Sequence, residues 1–154
     1  VLLILLVIAS IVIVMNFVIP FVKKQLSGSD CFDVADKIEI TNNDMYTCYN
    51  STSFNLSVQV HIGDIVEKIS GFSISLGGAS SNTYTIKNGT TGLTDVTMHG
   101  GSSILILPGK NQERTYIINN VNSKPDNIKV YPILTNGKYC PTASLINSIS
   151  ICDN

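Results

Sequence analysis

Phe54-Asn55-Leu56-Ser57-Val58-Gln59-Val60-His61-Ile62 alternates apolar and polar side chains without a break. Successive residues of a strand point to opposite faces, so Phe54, Leu56, Val58, Val60 and Ile62 line one face and Asn55, Ser57, Gln59 and His61 the other. That is a half-buried antiparallel strand, covered on one side and wet on the other. Outward from it the same period recurs at Lys37 to Ile40 and Tyr46 to Tyr49, and strands are read at Ile65 to Ile69, Phe72 to Leu76 and Tyr84 to Lys87. Further strands are read at Ser103 to Leu107, Thr115 to Ile118 and Ile128 to Leu134. Turn chemistry separates them: Gly77-Gly78, Asn88-Gly89, Gly100-Gly101, Pro108-Gly109-Lys110-Asn111, Lys124-Pro125-Asp126 and Asn136-Gly137. Short strands with turns at this spacing predict an antiparallel sandwich of about seven to nine strands, immunoglobulin-like in general build.

The N-terminus has a different pattern. Val1 to Val22 carries no charge, and the ten basic and eleven acidic residues all lie beyond it. As a helix this run would cover roughly 33 Å, about the thickness of a bilayer's hydrocarbon, with apolar side chains on every face. The expected class is therefore α+β: a long hydrophobic N-terminal helix over 1–27, a hinge at 28–30, and an all-β sandwich head over 31–154. Pro20 would remove the backbone bond to the carbonyl of Asn16, the one strongly polar side chain in the run, so a helix bend is expected at Asn16 and Pro20. Lys23 and Lys24 mark an interfacial end, and Gly28 a breaker.

Net charge is −1 and the only basic pair sits beside the apolar run, which disfavours a nucleic-acid partner. The cysteines, Cys31, Cys48, Cys140 and Cys152, fall as two near pairs, one towards each end of the head. Their spacing is not that of a zinc site, so disulfides and an oxidising compartment are expected. Three pairings are possible; Cys31 with Cys48 and Cys140 with Cys152 is expected because near neighbours meet most readily. Asn50, Asn55 and Asn88 each open an N-x-S/T sequon and are candidate glycosylation sites.

Catalytic signatures are missing. Gly71-Phe72-Ser73-Ile74-Ser75 lacks the closing glycine of a nucleophile elbow, and Gly77 to Ser81 precedes a strand rather than a phosphate-binding helix. His61 and His99 read as solvated residues, and Asp30, Asp33 and Asp36 lack the spacing of a cation loop. No enzymatic activity, cofactor or metal is expected.

Val1 to Val22 leading through Lys23 to Ser29 into a β head resembles the type IV pilin-like proteins of archaea. Asn16 to Val22 and Gly28 to Val34 are similar to pilin-like sequences of small-genome archaeal lineages. The resemblance implies an adhesion-type pilus subunit, with an archaeal flagellar filament subunit as the alternative within the family. The glutamate usual in bacterial relatives is missing from the run, and the basic leader and cleavage residue of the family are not visible, so the chain is read as starting after processing or trimming. The implied partners are other copies of the chain, the membrane before assembly, and a type IV filament assembly machinery. The assembly surface would comprise Val1, Leu2, Leu3, Leu5, Leu6, Ile8, Ile11, Val12, Met15, Phe17, Ile19 and Phe21. The same run would serve equally as the single span of a membrane-anchored binding module.

Overall fold

The computed structural model describes residues 30–79 and 81–152. The chain divides into two compact units, Val1–Phe32 and Asp33–Asn154, and the second holds the sheets. Its strands are β1 (Ile38–Ile40), β2 (Cys48–Asn50), β3 (Asn55–Ile62), β4 (Ile69–Gly77) and β5 (Thr83–Lys87). They continue with β6 (Val96–Met98), β7 (Gln112–Ile118), β8 (Asn127–Leu134), β9 (Ser144–Ile146) and β10 (Ser150–Ile151). One sheet has six strands in the order β10-β2-β3-β7-β6, with β1 also paired to β3; the other has four, β5-β4-β8-β9.

This corrects the expected α+β class. The regular structure of the described residues is mostly strand, and their helical content is confined to residues 30–35 and a 3-10 turn at Val66–Lys68. No helix among the described residues is long and apolar enough to cross a membrane. The long helix expected over 1–27 falls on residues outside those described. The sheets are also not purely antiparallel, because β10 runs parallel to β2.

β3 is the centre of the larger sheet, and its alternation is the reason. Leu56, Val58, Val60 and Ile62 are fully buried, facing Ile38 and Ile40 of β1 and Tyr116 and Ile118 of β7 in register. From the smaller sheet Phe72, Ile74, Ile86, Ile128 and Val130 supply the opposing wall. The two sheets meet where the rings of Phe72 and Tyr116 pack edge to face at 5.5 Å.

β1 and β2 both pair with the same side of β3, at its two ends. The gap between them would leave the peptide groups of Gln59 without a ladder partner. Segment 41–47 closes it: Thr41 N–H donates to the carbonyl of Gln59, and Gln59 N–H donates to Thr47 Oγ1. Gln59 is thereby screened on the face expected to be wet, as is its register partner Thr115. Pro132 is tolerated in β8 because it lies beyond β9, which pairs only with Ile128 to Val130; on that edge only its carbonyl is engaged, accepting from Cys140 N–H at 2.9 Å, and no donor is required of it. Among the described residues no buried side-chain nitrogen or oxygen lacks a hydrogen-bond partner.

Two expected strands are not formed. Val66–Lys68 make a 3-10 turn instead, because the flanking Ile65 and Ile69 are buried while the residues between them are not, a spacing of four that suits a turn. Within 103–107 only Leu105 is buried, and it contributes a single bridge to Thr90.

Candidate functional site

The residues from Val1 to Phe21 expected to form the assembly surface, with Asn16 and Pro20 of the expected bend, lie outside the described residues. The other sequence candidates can be placed. All four cysteines are disulfide-bonded. Cys48 is joined to Cys152, 104 residues away, which overturns the expected pairing of sequence neighbours. The cause is topological: β10 lies beside β2 with Ser150 opposite Cys48, and Cys152 N–H donates to the carbonyl of Tyr49. Loop closure is a weak guide here, since each doubling of loop length costs only about 0.6 kcal/mol.

Asn50 and Asn55 face each other across the β2–β3 hairpin, so two of the three sequons share one turn. Asn50 Oδ1 accepts from the N–H groups of Thr52 and Ser53 at 2.9 and 3.1 Å. Asn88 is exposed on its own turn, its Oδ1 accepting from Leu107 N–H at 3.3 Å. His61 lies 3.4 Å from Glu39, its neighbour on β1, and stands opposite Glu113 on β7. His99 is exposed beside the turn at Gly100 and Gly101. Asp33 pairs with Lys68 at 2.7 Å. Among the described residues no three His, Cys, Asp or Glu side chains converge on a common point.

A recess that none of these candidates lines lies at one end of the sandwich. It is a cleft of about 390 Å³ walled by the end of β4 (Leu76) with Gly78 and Ala79, by Ser81, Asn82 and Tyr84, and by segment 120–123. Val121 fixes that segment. It is buried, its N–H donates to the carbonyl of Phe54 at 2.8 Å, and its carbonyl accepts from Tyr49 OH at 2.9 Å. Asn120 and Asn122 on either side of this anchor are exposed.

The backbone is unusual in both segments that meet at this corner, the turn before β3 and the loop after β7. Asn120 has φ 59° and Phe54 has φ 54°, the left-handed region that disfavours side chains, and a ring as bulky as that of Phe54 is rarely found there. Strain of this kind persists only where the surroundings fix it, as the paired bonds of Val121 do. Asn120 Nδ2 donates to Asp95 Oδ1 at 3.2 Å, which orients the amide, and Asn82 Nδ2 reaches Tyr84 OH at 3.5 Å. Every side chain lining the cleft is uncharged. In the sequence, Asn119-Asn120-Val121-Asn122-Ser123 is dense in amides, a composition that reads only as loop. No protein-family model matches this sequence, and no curated protein matches it.

Proposed function

We propose that this chain is the structural subunit of an extracellular archaeal type IV pilus-like filament, polymerising through its uncharged N-terminal segment and displaying the β head for adhesion. The observation that carries the reading is the asymmetry of the sequence: Val1 to Val22 without a charge, joined to a head that buries its own core between two sheets. Outside a membrane the large apolar side chains of that run would each cost roughly 1.5–3 kcal/mol if left in water. Summed over the run the penalty is tens of kcal/mol, and lateral packing against other copies removes it. Such contacts are heterologous, and an open helical array is their natural product. Before assembly the same segment would be held in the membrane, from which a filament assembly machinery would draw it. The disulfides and the lack of free cysteine support an oxidising, extracellular setting for the head.

The test is Ile11→Lys. A buried, unpaired ammonium costs several kcal/mol in each subunit, so filaments should be lost while the head still forms its disulfides. Filaments of normal yield from this variant would overturn the reading.

A further inference from the structure

We infer that the cleft bounded by Asn82, Tyr84, Asn120 and Asn122 is a binding site for neutral carbohydrate. The volume, about 390 Å³, lies within the range of small-molecule sites and would accept one or two sugar rings. Its chemistry selects the class. The polar groups are amides of Asn82, Asn120 and Asn122 and hydroxyls of Ser81, Ser123 and Tyr84, each able to donate and accept. A vicinal pair of sugar hydroxyls also donates and accepts, so the two sets are complementary. A phosphate or carboxylate would lose its hydration here with no cation in the lining to offset the loss. A lipid chain or apolar peptide would bury those amides without partners.

The site is also held ready before any ligand arrives. Val121 is pinned from both sides, Asp95 orients the amide of Asn120, and the left-handed backbone at Asn120 sets the direction in which that side chain leaves the loop. Fixing the donors in advance removes part of the ordering cost of binding. Tyr84 also lines the cleft, half-buried, and its ring supplies an apolar surface on which a sugar's C–H face can rest. This inference deepens the reading of the head as an adhesive surface and rests on that part of it alone; it does not require polymerisation.

Saturation-transfer NMR on the full chain, kept in a zwitterionic detergent with no sugar head group, tests it with glucose, galactose, mannose, N-acetylglucosamine and their disaccharides as probes. Sialic acid and glucuronic acid are the anionic controls. At least one neutral sugar should receive saturation, with a dissociation constant in the millimolar range. The double variant Asn120→Gly/Asn122→Ala should bind it about thirtyfold more weakly, since two hydrogen bonds of about 1 kcal/mol each are lost. Glycine suits the φ of 59° at position 120, so this variant keeps the fold. Transfer to none of the neutral sugars, equal transfer in the double variant, or stronger binding of the anionic sugars would overturn the inference. A subunit that forms filaments yet binds no sugar would refute the cleft and leave the filament reading standing.

Discussion

Tyr116 shows how one side chain can join two sheets and still satisfy a polar atom. Its ring is fully buried against Phe72, and its hydroxyl donates to the carbonyl of Ile106 at 2.7 Å. Burial pushes the phenol well above its ordinary value near 10, with the Arg114 guanidinium pulling it partly back. The consequence for stability has a definite sign. Below about pH 10 the phenol is neutral in both folded and unfolded chains, and its contribution is fully present. Above that, the unfolded chain releases a proton that the folded chain retains, so stability falls as pH rises. Tyr116→Phe should cost about 1 kcal/mol at neutral pH through the lost hydrogen bond. Denaturant melts from pH 8 to 11 should then show the gap between wild type and variant narrowing above pH 10. A gap that stays constant over this range would contradict the account. Residue-level reading of the sequence recovered the alternation of β3 but not the environment of Gln59, which is screened by a loop more than ten positions away in sequence. Nor could it reach the cleft, because an asparagine in a loop carries the same sequence signal whether it faces solvent or a recess.

Among the elements, the long strands were legible, as were the short β1 and β2, but β6, β9 and β10 were not. β3, β4 and β8 each bury a face of alternating apolar side chains, and that pattern is local; in β7 only residues 115–118 carry the signal, its first half being polar. β6, β9 and β10 have two or three residues each, too few for a period, and exist because a neighbouring strand offers an open edge. β10 is the clearest case. It has two residues, runs parallel to β2, and is tied by the Cys48–Cys152 disulfide just beyond its end. Closing a loop of about 100 residues is worth about 4.7 kcal/mol in the chain-entropy model, more than the short loops first expected from sequence would provide. The double variant Cys48→Ala/Cys152→Ala should therefore lose about 3–5 kcal/mol in denaturant unfolding. Hydrogen exchange should show the amide of residue 152 losing its protection first, because the bond to Tyr49 depends on that tether. Retained stability together with unchanged exchange at residue 152 would refute the role assigned to this disulfide.

At the scale of the whole molecule, an uncharged N-terminal run is joined to a disulfide-bonded β head, and the function proposed follows from what each part needs. The head satisfies its own core and offers a neutral, preformed cleft at one end. The run needs apolar surroundings, which either lipid or other copies of the chain can supply. Composition made that need plain from the sequence, but the same side chains suit both outcomes, so the choice between them lies in assembly rather than in the fold of one chain. Electron microscopy of material sheared from the cell surface, with peptide mass identification of any filaments, tests the choice most directly. Thin filaments containing this chain are the predicted result. Recovery of the chain only from the detergent-extracted membrane fraction, with none in sheared filaments, would contradict the account and make the N-terminal run a permanent anchor.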